Sequence, residues 1–181
     1  SVPEYYAQAS AWLKPRLGDR RILHLPLAPG ESVDYDWGYS GVEPSQLLFP
    51  GSSFSYAVGL SAIDYRLSDL LITIHNQESD KILASLQSLN IGWIVVHNET
   101  DWKPRGIESP QRINRWLATH PQFIKHQINF GPLSIYQLDP EFQLGHVYDT
   151  QQLMYMPSAK KEAIAQVWNY LTQPKAGFVF A

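Results

Sequence analysis

The chain has 181 residues, 44% of them hydrophobic and 17% charged, with a formal net charge of −3 and no cysteine. That length allows one domain, alone or with a short appendage, and folding buries about 70% of the extended-chain surface, so the core needs no staple. The scattered Lys and Arg form no basic stripe for phosphates, which excludes a nucleic-acid binder, and the missing cysteine excludes disulfides, thiolate metal sites and a cysteine nucleophile.

The elements follow from the N-terminus. Ser1 stands three residues before Glu4 as a capping pair, and Tyr5, Ala9, Trp12 and Leu13 recur at helical spacing until Pro15 stops the helix. Arg21 to Leu25 reads as a buried strand. Tyr56 to Leu70 reads as a helix with Leu60, Ile63, Leu67 and Leu70 on one face, and Leu71 to His75 as a second strand. Ser79 or Asp80 caps a helix striped by Ile82, Leu83, Leu86 and Leu89, which Asn90 breaks. Gly92 to His97 is then apolar on both faces, the signature of an inner strand of a covered, usually parallel, sheet. Ser109-Pro110 opens a helix that turns Ile113, Trp116 and Leu117 inward. Ile124, His126, Ile128 and Phe130 alternate with period two, Gly131-Pro132 turns, and Leu133 to Leu138 returns as a β-hairpin. Asp139-Pro140 marks a boundary, beyond which Ser158 opens a helix carrying Ile164, Val167, Trp168 and Leu171.

This order predicts an α/β fold of three layers: a mixed sheet with parallel inner strands and an antiparallel edge hairpin, helices on its faces. Residues 1–138 are expected to form the α/β domain, and residues 139–181 a C-terminal helical appendage that packs on it or begins a further segment. No apolar run reaches the roughly 18 to 20 residues of a membrane helix, and no basic start leads into an apolar stretch as in a signal peptide. The chain begins at Ser1 and stops inside the strand-like Phe178-Val179-Phe180-Ala181, which reads as a fragment of something longer.

The most specific stretch is Asp34-Tyr35-Asp36-Trp37-Gly38-Tyr39-Ser40-Gly41-Val42-Glu43-Pro44-Ser45. It is too aromatic for a solvated linker and too polar for core. It either packs as an ordered structural loop or presents Tyr35, Trp37 and Tyr39, with Asp34 and Asp36, to a ligand such as a glycan. Asp34 and Asp36 lie two apart in one loop, a spacing that does not by itself flank a scissile bond.

Other chemistry is thin. His75 and His97 each follow an apolar stretch and Asp101 comes four residues after His97, so parallel strands would bring all three to the crevice at their carboxyl ends. There they would serve as general base or metal ligands, against the plainer reading that two histidines mark strand ends. His24, His120, His126 and His146 add no His-x-x-x-His spacing, and no zinc site is expected. Gly51-Ser52-Ser53-Phe54-Ser55 reads as a small-residue turn before a helix, a cap rather than a phosphate loop. There is no Gly-x-Ser-x-Gly elbow. Asn98-Glu99-Thr100 matches an N-glycosylation acceptor, a tripeptide common by chance. Neither a catalytic set nor a cofactor is expected.

The succession Tyr5-Tyr6 to Trp12-Leu13, Arg21-Ile22-Leu23-His24-Leu25-Pro26, Tyr35-Asp36-Trp37-Gly38-Tyr39-Ser40-Gly41, Leu89 to His97 and Gly131 to Leu138 resembles the soluble extracytoplasmic segments of large bacterial multi-pass membrane proteins of the GT-C glycosyltransferase type. The resemblance implies a domain outside the cell membrane, attached through transmembrane helices that are not in this chain. It implies a parent that moves sugars from polyprenyl-phosphate donors, with catalytic carboxylates in loops between those helices. The expected function is therefore a non-catalytic domain that helps bind glycan or acceptor, or organises the membrane portion. The expected partners are its own transmembrane region and a glycan or polyprenyl-linked sugar. Two alternatives stand beside it: a small free-standing enzyme using His75, His97 and Asp101, and a purely structural module packing on membrane helices.

Overall fold

The computed structural model describes residues 1–57, 70, 73–74, 76–105, 107–142, 152–156 and 176–180. Its elements are α1 (Glu4–Leu13), β1 (Arg21–Pro29), β2 (Ser32–Tyr35), β3 (Tyr39–Val42), α2 (Ser45–Leu48), β4 (Ser53–Ala57), α3 (Ser79–Ser88), β5 (Ile91–His97), α4 (Pro110–Ala118), β6 (Ile124–Phe130), β7 (Leu133–Leu138), β8 (Gln152–Met156) and β9 (Ala176–Phe180). The five-stranded sheet has the order β4-β1-β5-β7-β6. β4, β1 and β5 run parallel, and β7 and β6 add antiparallel as the edge hairpin. The expected mixed α/β sheet is what forms.

Alternation along each strand divides two cores. Leu23, Leu25 and Leu27 of β1 join Ile94 and Val96 of β5 under Ile82, Leu86, Ile113 and Leu117 from α3 and α4. Ile22, Trp93, Val95, Leu133 and Ile135 face the other way, under Tyr6, Ala9 and Leu13 of α1. All seven residues of β5 are buried, as its two-sided apolar run requires. Each buried Leu or Ile contributes about 1.5–3 kcal/mol of transfer free energy, so these two layers hold the sheet between them.

Several local expectations change. Pro3, not Ser1, is the residue before α1, and no side chain caps that helix. Glu78 precedes α3, while Ser79 is its first residue and bonds His120 instead. Ser109 caps α4 as expected, accepting the Arg112 N–H at 3.2 Å. Tyr56 and Ala57 belong to β4, because Ser53–Ala57 pairs in parallel with β1 rather than opening a helix. Leu70, Thr73 and Ile74 are helical, so at its described positions, 73 and 74, the second strand expected at Leu71 to His75 does not form. A short apolar run does not separate strand from helix by itself, and the Thr73 hydroxyl back-bonds to the Leu70 carbonyl at 2.9 Å as it does in helices. His75, and the helix expected from Ser158 to Leu171, lie outside the described residues. β8 and β9 pair in parallel as a separate two-stranded sheet.

Candidate functional site

The aromatic stretch folds as a β-hairpin, β2 and β3, with Tyr35 directly opposite Tyr39 and Gly38 at φ 88° in the turn between them. Glycine suits that turn because left-handed backbone costs it little. The hairpin docks beyond the carboxyl end of β5 through its main chain: the Asp36 N–H donates to the Glu99 carbonyl and the Asp101 N–H to the Asp34 carbonyl, each at 2.8 Å.

Beneath it lies a buried polar network. In the β1–β5 register His24 pairs with Val95, so His97, two residues on, shares its face of the sheet. His24 Nδ1 lies 3.0 Å from His97 Nε2, and His97 Nδ1 lies 3.1 Å from Glu99 Oε1. The Tyr6 hydroxyl of α1 donates to Glu99 Oε1 at 2.8 Å. On the other side, Glu43 Oε1 accepts from the Tyr35 hydroxyl at 2.7 Å and the Ser45 hydroxyl at 2.6 Å, and Ser45 Oγ lies 3.3 Å from His97 Nε2. The Tyr35 ring stacks on His97 with centroids 5.6 Å apart.

The electrostatics follow from burial. Desolvation, then the neighbouring His97, hold the His24 pKa well below its ordinary value. Burial alone would raise Glu99; the His97 ring and the hydrogen bonds to the carboxylate outweigh it and leave the pKa lowered. Burial pushes the Tyr6 and Tyr35 hydroxyls far up, with added repulsion on Tyr6 from Tyr35 and Glu99, and on Tyr35 from Glu43. Tyr5, above them, is raised to about 12 by burial, Glu99 and Asp36.

This cluster has the ingredients of acid–base chemistry and no access to solvent. His24 and His97 are each 2% exposed, Glu99 4%, Glu43 6% and Ser45 0%. A small cavity of about 10 Å³ lies on the opposite face of the sheet, lined among others by Leu23, Leu25, Ile94 and Trp116. Among the described residues no three His, Cys, Asp or Glu side chains are placed to hold a metal ion.

The residues singled out from the sequence are distributed as follows. Tyr35 is buried, Asp34, Trp37 and Tyr39 are half-buried, and Asp36 is exposed. The three rings stack on one another, Tyr35 on Trp37 at 5.7 Å and Trp37 on Tyr39 at 5.2 Å. His97 is buried and Asp101 exposed, joined to the hairpin by its backbone. The histidine within reach of His97 is His24, whose place beside Ile22 on the inward face of β1 was the available signal. Tyr6 and Glu99 carry no sequence signal, and Glu43 and Ser45 close the aromatic stretch with nothing to mark them out from it; three separate stretches supply the four. The Asn98 amide donates to the Pro132 carbonyl at 2.7 Å and Ser134 Oγ at 3.0 Å, and Thr100 is buried, so the acceptor tripeptide is committed to the fold.

Comparison with known proteins places this architecture. The solved cryo-EM structure of arabinofuranosyltransferase AftD from Mycobacteria is similar over 87% of this chain, with a TM-score of 0.64 and 18% identity. Two classes of a mutant of that enzyme match over the same 87%, with TM-scores of 0.62 and 0.60 at 18% and 17% identity. The chain spans only 14–15% of the length of those proteins. No curated protein matches it. Among the described residues no helix is long and apolar enough to cross a membrane. The model of the alpha-(1->3)-arabinofuranosyltransferase N-terminal GT-C domain matches residues 1–166, so the GT-C resemblance seen in the sequence holds, and the chain belongs to that family.

Proposed function

We propose that this chain is a non-catalytic, extracytoplasmic domain of a membrane-embedded GT-C glycosyltransferase of the arabinofuranosyltransferase kind, and that it organises the membrane portion rather than taking part in sugar transfer. The observation that carries this reading is the sealing of the ionisable network: His24, His97, Glu99 and Glu43 are all at most 6% exposed. A general acid or base must come within hydrogen-bond reach of its substrate, and a group closed off on every side does not. The network joins α1, β1, β5, the β2–β3 hairpin and the segment leading into α2, which is the work of a structural clasp. By the same reasoning the free-standing enzyme loses support, since His97 is closed off and Asp101 stands on the surface.

The test is kinetic and uses the intact membrane protein. Glu99→Gln and His24→Asn keep size and hydrogen bonding while removing the ionisable group, and each leaves kcat within about threefold. A kcat loss of about 100-fold or more in a variant that keeps its Tm contradicts the proposal. A second reading, contact with glycan or acceptor through the hairpin, rests on Trp37 and Tyr39, which keep part of their rings at the surface. Mutual stacking of those rings favours the structural role.

A further inference from the structure

The hydrogen-bond chain through His24, His97 and Glu99 has one consistent placement of its protons. His24 Nε2 is buried and has no partner among the described residues. A bare lone pair there forgoes an acceptor bond, whereas an N–H there is an orphaned buried donor, the rarer and costlier case. The His24 proton therefore sits on Nδ1 and is donated to His97 Nε2 across 3.0 Å. His97 accordingly carries its proton on Nδ1 and donates it to Glu99 Oε1 at 3.1 Å. The single Ser45 hydroxyl hydrogen goes to Glu43 at 2.6 Å. With both rings neutral, each of these donors is matched.

Neither ring takes an added proton without leaving a donor unmatched. On His24 Nε2 it creates the orphaned donor, in a ring packed 4.8 Å from Phe49 by centroid. On His97 Nε2 it meets the N–H of His24. Ser45 Oγ, 3.3 Å away, accepts it only if His24 moves its own proton to Nε2, which recreates the same orphan.

We propose that this chain of bonds is an acid-released latch, which holds the β2–β3 hairpin and the Glu43 to Phe49 segment on the sheet in this proton arrangement and lets them lift when a further proton is forced in. The sheet side does not yield, because β1 and β5 are inner strands paired on both edges. On the outer side the hairpin is held by the two main-chain bonds of Asp36 and Asp101, which together make the Tyr35–Thr100 bridge, and by the Tyr35 ring on His97 and the Trp37 ring against Tyr6, while buried Phe49 and the Gln46 to Ser55 bond hold the following segment. The ionisable groups that face the two imidazoles are Tyr6 from α1, Tyr35 from the hairpin, Glu43 from the following segment and Glu99 after β5. The lowered pKa of His24 agrees with this resistance to protonation.

Hydrogen exchange of the 181-residue chain at about pH 7.5 and about pH 5, corrected for intrinsic rates, tests the latch. The Asp36 and Asp101 amides exchange about 10-fold faster or more at the lower pH, and faster than those of Leu133 to Leu138. Exchange that does not change with pH overturns the proposal, as does hairpin protection equal to that of β7 in acid. His24→Asn keeps an N–H toward His97 without a titrating ring, and it removes the pH dependence; a dependence that persists removes His24 from the device. Ring nitrogen shifts read the tautomers without any substitution: Nδ1–H on both imidazoles is expected, and Nε2–H on His24 overturns the assignment.

Discussion

A carboxylate as deeply buried as Glu99 survives because donors converge on it: the His97 ring and the Tyr6 hydroxyl share its Oε1. This exchange of solvent for fixed donors sets the pH range of the fold. His24 is lowered, so the unfolded chain takes a proton first, and stability is full above about pH 6.5 and declines below it. Glu99 is lowered from 4.5, so its contribution is present above that pH and is lost as the pH falls further. Tyr6 and Tyr35 are raised, so their contribution is full below about pH 10 and is lost above it, where the unfolded chain ionises first. Denaturation midpoints measured across pH trace a plateau between about 6.5 and 10 with a fall on each side. A flat profile down to about pH 4 contradicts the neutral, sealed state of His24. Of this network only His97 and Tyr35 stand out in the sequence as candidates, since hydrogen-bond partners drawn from distant stretches leave no spacing to read.

At the level of elements, legibility followed the number of independent signals that agreed. α4 has a capping serine, a proline in its first turn and an apolar stripe, and it forms over Pro110–Ala118 as expected. β5 has a two-sided apolar run after the Asn90 break, and the β6–β7 hairpin has alternation on both sides of Gly131-Pro132. The stretch from Gly51 to His75 has only short apolar runs, so that the sequence of β4 reads as turn and helix, and Thr73 and Ile74 as strand. The β2–β3 hairpin reads as a loop because its strands are only four residues long: Ser32–Tyr35 alternates polar and apolar, but Tyr39-Ser40-Gly41-Val42 across the Asp36-Trp37-Gly38 turn does not answer it. The cap offers a direct check at this scale. Ser109→Ala removes the oxygen that accepts the Arg112 N–H and lowers stability by about 1 kcal/mol, while Ser109→Asp retains most of it. Chemical denaturation measures the difference, and equal midpoints for Ser109→Ala and the parent chain contradict the cap.

For the whole molecule, the alternation of βα units and the final hairpin sufficed for the architecture, because a strand buried on both faces demands helices above and below. The likeness to AftD is a likeness of that architecture, and the family model matches residues 1–166. Function was legible only as context. The hairpin marks the right region, yet its rings stack on each other and its inner edge clamps a network closed to solvent. Under the proposed function this domain is a structural partner of a membrane-embedded enzyme. The most direct test is an NMR titration of the 181-residue chain with cell-envelope oligosaccharides and polyprenyl-phosphate analogues, following the Trp37 indole N–H. The account predicts no saturable shift across the panel; a saturable shift that disappears in a folded Trp37→Ala variant would contradict it and make the hairpin a recognition surface.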